Sequence, residues 1–389
     1  MTTTVAAATR ADWRAVTSVG LGLFTLVASE FLPASMLPRI AADLGVSEGT
    51  AGQAVTATAL MGAVIAPTIA VLLPRQDRRH VLIGLMTLAV ASNLLVAVTP
   101  SYWLLLVARL LLGAALAGVW AFSIAVTSRL VPADRLGRAL TVVNTGSTVA
   151  AVAAMPLGAY VGEVWGWRVV FAIAAVAGGV ALVAQARWLP AVPPAGSPGL
   201  RTLLRTARRP VLATGLAAIA LVAVGHFAAF TYLRTALEPV PGLTAGLLAA
   251  LLLLYGALNV VGNLLAGPLA DRRLTVLVLG APFLIGVSTL ALAATLGTLG
   301  AVFVPVAVWA IGFGAVPTAF QTWIARTEPD RLEPATGLMI ATFQLAIALG
   351  AVAGGVLVDG VGVRAALVAG GVAALLGTLV LATLRRVRA

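Results

Sequence analysis

Long blocks of apolar residues, separated by short charged or Pro/Gly-rich breaks, set the pattern of this 389-residue chain. A helix that crosses a bilayer needs roughly 20 mostly apolar residues. Reading between the breaks predicts twelve such spans: Val16–Leu37, Thr50–Leu73, Val81–Val98, Tyr102–Ser128, Ala139–Val161, Val169–Ala186, Val211–Leu233, Leu243–Leu269, Thr275–Leu292, Leu299–Ile324, Ala335–Leu357 and Ala365–Leu384. Val81–Val98 and Thr275–Leu292 are short for the purpose. The expected fold class is therefore an all-α membrane protein with twelve transmembrane helices.

The placement of arginine tests that count. All 25 basic residues are Arg. With the N-terminus in the cytoplasm, twenty of them fall in cytoplasmic segments, Arg39, Arg168, Arg234 and Arg364 fall outside, and Arg109 lies within a span. An excess of this kind on one side is the positive-inside signature. It needs an even number of helices and places both termini in the cytoplasm.

The chain also repeats itself. Asp77-Arg78-Arg79 recurs as Asp271-Arg272-Arg273, 194 residues on, and Asp134-Arg135-Leu136 recurs as Asp330-Arg331-Leu332, 196 residues on. Gly166-Trp167-Arg168 has a weaker echo in Gly362-Val363-Arg364, again at 196. Two pseudo-symmetric six-helix bundles are expected, residues 1–186 and 211–389. Between them, 187–210 carries Pro190, Pro193, Pro194 and Pro198 and then a basic run from Arg201 to Arg209. That composition predicts a cytoplasmic linker with a surface amphipathic helix in contact with lipid headgroups.

Composition narrows the function classes. Hydrophobic residues make up 61% of the chain and charged residues 10%, against about 25% charged in an ordinary soluble domain; mean hydropathy is +1.06. Lipid must be the solvent, and the net charge of +12 belongs to membrane topology rather than to nucleic-acid binding. The first apolar stretch is too long for the core of a cleavable signal peptide, so none is expected. The chain has no Cys, hence no disulfide framework and no thiolate ligand or nucleophile. Without Lys there is no P-loop lysine and no Schiff base, which argues against ATP-driven pumping by this chain alone. No metal or other cofactor is implied.

Several stretches resemble motifs of the major facilitator superfamily. Gly267-Pro268-Leu269-Ala270-Asp271-Arg272-Arg273 is similar to the Gly-x-x-x-Asp-Arg loop motif of that family, and the first-half copy has Leu73 in place of the glycine. Arg109-Leu110-Leu111-Leu112-Gly113 resembles the fourth-helix Arg-x-x-x-Gly motif linked to proton coupling. Pro156-Leu157-Gly158 resembles the fifth-helix antiporter motif, with Met155 for its expected glycine. A closer resemblance, to bacterial purine ribonucleoside efflux pumps, rests on Glu30-Phe31-Leu32-Pro33, on Asp43 through Gly49, on Ala51-Gly52-Gln53, on Arg129-Leu130-Val131-Pro132, on Gly166-Trp167-Arg168, on Phe230 through Arg234 and on Thr322-Trp323-Ile324. The resemblance implies the major facilitator fold, with a substrate site near mid-membrane, in the drug:proton antiporter branch. It also implies export of purine nucleosides such as inosine, driven by proton entry across a bacterial inner membrane. Efflux of drugs or sugars by the same mechanism is the alternative.

Candidate residues follow from what lies inside the spans. Glu30 is the acidic residue well inside one. A carboxylate in hydrocarbon costs several kcal/mol, so it must face a cavity, pair, or carry a proton; a structural carboxylate capped by a hydroxyl such as Ser35 is the plainer reading. Arg109 does not release its proton usefully. It can modulate Glu30, hold a substrate hydroxyl, or act as a hydrogen-bonding hub for backbone carbonyls. His226, near the pseudo-symmetric position of Glu30 in the second half, can titrate, bond a purine edge or ribose hydroxyl, or simply pack. Gln53, Trp120, Phe122, Asn144, Phe227, Phe230, Tyr255, Asn259, Trp309, Gln321 and Gln344 could read a nucleoside by stacking and hydrogen bonding. Asp77, Arg78, Asp271 and Arg272 are expected to make gating charge pairs on the cytoplasmic face. A membrane enzyme would need a cluster of His, Asp, Ser or Lys at membrane depth, which the spans lack. Expected partners are a small-molecule substrate, protons and lipid, and nothing in the pattern requires more than a monomer.

Overall fold

A computed structural model describes residues 10–194 and 199–384; Pro198 of the linker and Arg385, Arg386 and Arg388 of the cytoplasmic arginine set lie outside the described residues. The described residues form fourteen α-helices joined by short loops and 3₁₀ turns. In chain order they are α1 (Trp13–Phe31), α2 (Leu37–Leu44), α3 (Glu48–Leu72), α4 (Arg78–Val98), α5 (Tyr102–Leu130), α6 (Leu136–Trp165), α7 (Trp167–Trp188), α8 (Leu200–Ala207), α9 (Pro210–Phe230), α10 (Leu233–Leu237), α11 (Ala245–Thr295), α12 (Phe303–Thr327), α13 (Leu332–Gly360) and α14 (Val363–Thr383).

Ten of these helices are long and apolar enough to cross a membrane. One of them, α11, is two crossings run together, because its backbone leaves helical values at Arg273 (φ −143°, ψ 58°). Its 51 residues are far more than one bilayer needs. A further crossing is α1, 19 residues whose apolar run is diluted by Arg14 and Glu30. The crossings then number twelve, as the sequence pattern predicts. The first predicted span differs in detail: α1 stops at Phe31, a 3₁₀ turn covers Leu32–Ser35, and α2 follows with Pro38 in its first turn. Pro33 lacks the N–H that would continue the helix, so the chain breaks there.

Two compact units partition the chain. One comprises Met1–Leu204 with Asp330–Ala341, and the other Arg205–Pro329 with Thr342–Ala389. Within the first unit α1 packs on α6, α3 on α5 and α4 on α7; within the second α11 packs on α12 and α9 on α14. A core in the first unit seats Leu32, Met36 and Ile40, beside the Pro33 break, against Val96, Leu105, Trp167 and Phe171.

Glycine sets two of the local geometries. Gly166 (φ 88°, ψ 153°) and Gly362 (φ 110°, ψ 162°) are the N-caps of α7 and α14. That region of backbone space is essentially closed to other residues, which explains why the Gly166-Trp167-Arg168 pattern echoes at Gly362. On α5, a Cβ added at Gly113 would overlap the Thr58 carbonyl of α3. Gly113→Val is therefore expected to force α3 and α5 apart and cost at least about 1–3 kcal/mol, read as a lowered thermal midpoint of the purified protein. An unchanged midpoint would contradict this packing.

Candidate functional site

The charged cluster of the first unit is built by the Pro33 break. In a continuous helix the Ser29 carbonyl would accept from residue 33, which is proline and has no N–H to give. Arg109, fully buried on α5, takes that place: its Nη1 donates to the Ser29 carbonyl at 2.9 Å, its Nη2 to the Glu30 carbonyl at 3.2 Å, and its Nε to the Ala54 carbonyl at 3.4 Å. The guanidinium thus caps the end of α1 and ties it to α3. Thr58 adds a bond from its hydroxyl to the Arg109 carbonyl at 3.3 Å. Asn93 of α4 donates to the Ser29 hydroxyl at 2.9 Å. Glu30 sits half-buried in the last turn of α1, its own carbonyl held by Arg109. Arg109 donates to backbone oxygens rather than to the Glu30 carboxylate, so its charge lies beside that acid without a side-chain bond to it. Ser35, read from the sequence as a cap for Glu30, donates instead to the Leu32 carbonyl at 2.8 Å.

The second unit gathers aromatic rings where the first gathers charge. His226 of α9 accepts at Nδ1 from Trp309 Nε1 of α12 at 3.0 Å. Its imidazole lies parallel to Phe313 (3.4 Å between centroids, 7° between planes) and to Phe230 (5.3 Å, 14°). Phe227 meets the imidazole edge-on at 4.8 Å. Tyr255 of α11 lies 5.1 Å from Phe230 and 5.8 Å from Trp309. Two buried polar atoms here lack a hydrogen-bond partner, His226 Nε2 and Tyr255 Oη.

The two halves share one frame in this region. Thr58 bonds the Arg109 carbonyl, and Asn259 bonds the Ala310 carbonyl at 3.5 Å, each member 201 positions beyond its counterpart. Gly113 against the Thr58 carbonyl is likewise matched by Gly314 against that of Asn259. At the position of Arg109 the second half therefore carries Ala310, with Trp309 beside it turned to His226. At this matched position, among the described residues, the first half carries a charge and the second does not.

The loop between α3 and α4 holds a third cluster. Arg78, 1% exposed, makes a bidentate pair with Glu333 (Nε to Oε1 at 2.6 Å, Nη2 to Oε2 at 2.5 Å). Its Nη1 donates to the carbonyls of Leu73 and Gln76, and its guanidinium lies 4.6 Å over the Phe122 ring. Asp77 instead caps α4 through the Arg79 amide at 2.8 Å and accepts from the Val192 amide at 3.0 Å. In the second unit, Arg326 donates to the carbonyls of Ala270 and Asp271, while Arg272 is exposed.

The remaining candidates are dispersed. Gln53 is exposed and accepts from the Tyr102 hydroxyl at 2.8 Å. Trp120 and Gln344 are half-buried, and Asn144 and Gln321 are buried. Sequence reasoning missed Phe313 and Glu333. Phe313 stands one helical turn after Trp309 on the same face, a spacing that was there to be read. Glu333 lies 255 residues from Arg78, and no local pattern announces the pair.

The profile of the Major Facilitator Superfamily matches residues 19–332. The purine ribonucleoside efflux pump NepI of Salmonella enteritidis PT4 is 35% identical over 378 residues, covering 97% of this chain and 95% of the relative. The pump of the same name from Escherichia coli (strain K12) is 37% identical over 374 residues, covering 96% and 94%. Among solved structures, the human organic anion transporter MFSD10 (TETRAN) superposes with a TM-score of 0.75 at 18% identity, covering 95% of this chain and 99% of that one. The proton:xylose symporter XylE, bound to 6-bromo-6-deoxy-D-glucose, gives 0.76 at 13% identity, covering 94% of each. At such identities these two structures share the fold.

Proposed function

The chain belongs to the Major Facilitator Superfamily, and from that premise we propose that it exports purine ribonucleosides such as inosine in exchange for protons, by alternating access. It is a multi-pass membrane transporter of small molecules rather than an enzyme. The observation that carries the nucleoside reading is similarity along nearly the whole chain, 35–37% identity over 96–97% of its length, to pumps named for purine ribonucleosides.

In this reading the halves 1–186 and 211–389, joined by the linker 187–210, divide the work. Glu30 takes a proton from the outer side and gives it up to the cytoplasm, while a nucleoside moves the other way. Arg109 holds the broken end of α1 in place and lends its charge to the deprotonated carboxylate, and its own proton stays put. His226, Phe227, Phe230, Tyr255 and Trp309 offer a purine stacking faces and hydrogen-bonding atoms. Gln53, Trp120, Asn144, Asn259 and Gln344 are proposed as further polar or stacking contacts. Asp77, Arg78, Asp271 and Arg272 belong to the gate. The setting is a bacterial inner membrane with both termini cytoplasmic, and the working unit is a monomer.

Counterflow of radiolabelled inosine into proteoliposomes loaded with unlabelled nucleoside tests the substrate. Saturable inosine exchange that sugars and a panel of cationic drugs fail to compete is the expected result. Exchange of a sugar or drug with none of inosine would overturn the substrate assignment.

A further inference from the structure

The His226–Trp309 bond has a chemical direction. An indole nitrogen only donates, so at 3.0 Å Trp309 Nε1 supplies the hydrogen and His226 Nδ1 the lone pair. An imidazole that accepts at Nδ1 carries its own hydrogen on Nε2. An imidazolium has no lone pair to accept the indole N–H, so a second proton on His226 must break this bond. The parallel Phe313 ring, 3.4 Å away, holds the imidazole plane against rotation.

We propose that Trp309 is a positioning residue that fixes His226 as a neutral Nε2–H donor to a ring nitrogen or keto oxygen of the substrate base. His226 would then recognise the nucleoside and carry no proton. This rests on the nucleoside reading above and deepens it. His226 Nε2 is fully buried and without a partner, an arrangement costly to maintain unless an acceptor answers it. Tyr255 Oη, in the same aromatic cluster, is also buried and unpartnered, and can donate to or accept from a second edge atom. Phe230, stacked on the imidazole, is 37% exposed. Where the first half places Arg109, the second has Ala310, and the rings around the imidazole are Phe227, Phe230, Trp309 and Phe313 with Tyr255 beyond. Among the described rings gathered around His226, Tyr255 is the other ionisable one.

The chain has two histidines, so His80→Gln leaves His226 as the sole imidazole, and nitrogen NMR of histidine-labelled protein reads its tautomer directly. The expected spectrum is a single Nε2–H tautomer, unchanged between about pH 5.5 and 8, whose Nε2 signal moves when inosine is added. In a Trp309→Phe background nothing holds the lone pair on Nδ1, and the Nδ1–H tautomer should appear beside the Nε2–H form. Inosine affinity should fall about tenfold, the loss of one hydrogen bond, together with this change of tautomer, which loss of packing alone would not produce. An Nδ1–H tautomer or an imidazolium in the parent protein would overturn the proposal. So would an Nε2 signal indifferent to inosine while inosine binds, although nucleoside export would survive that result. Failure of inosine to bind the parent protein at all would defeat the nucleoside reading, and this inference with it.

Discussion

Leucine at position 109 is expected to reduce inosine flux to background and to lower stability by about 3–5 kcal/mol. Hydrogen bonds from a charged donor contribute about 1.5–3 kcal/mol each, and Arg109 makes two good ones, to the carbonyls of Ser29 and Glu30, with a longer one to Ala54. Pro33 leaves the Ser29 carbonyl without a helical donor, so leucine strands it in a buried site. Lysine should recover part of the stability but little flux, because one compact ammonium lacks the planar fork that spans α1 and α3. Thermal unfolding of the purified variants, paired with inosine flux in proteoliposomes, measures both effects. Wild-type flux in Arg109→Leu would remove Arg109 from the account.

Breaking the Arg78–Glu333 pair should be asymmetric. Removing one partner of a buried ion pair typically costs about 3–5 kcal/mol, because the other charge is left uncompensated. Arg78→Ala leaves the Glu333 carboxylate, 6% exposed, without its guanidinium, and it should show that full loss. Glu333→Ala should cost less, since Arg78 keeps the Leu73 and Gln76 carbonyls and the Phe122 ring. The double variant should regain part of the loss of Arg78→Ala, with a coupling energy of about 1–3 kcal/mol in a double-mutant cycle. Additive single effects would show that the two side chains do not act as a pair. Arg78 was expected from the sequence to act in a gate with Asp77, Asp271 and Arg272; its charged partner in the structure is Glu333.

The fold was legible because the bilayer imposes length and sidedness on the sequence. Twelve apolar runs require little three-dimensional information, and Gly166 and Gly362 repeat because their backbone angles admit no other residue. The polar side chains inside the spans, Glu30, Arg109 and His226, were legible for the same reason: polarity in hydrocarbon is expensive and therefore noticeable. What each one touches was not. Arg109 answers a carbonyl that Pro33 orphaned four residues further along another helix, a backbone relation that no residue identity displays. His226 owes its donor face to Trp309, 83 residues away. The rupture of α1 at Phe31 was signalled by Pro33, yet the apolar run continues through it, and hydropathy outweighed the proline in the predicted span.

Gradient-driven inosine transport in proteoliposomes, wild type against Glu30→Gln, tests most directly whether Glu30 carries the proton. The account predicts that an imposed pH gradient concentrates inosine through the wild type and not through the variant. Glutamine cannot exchange a proton, while inosine counterflow in the absence of a gradient should persist because the aromatic cluster of the second half is untouched. Gradient-driven accumulation that survives in Glu30→Gln would contradict the account and move the proton to another group.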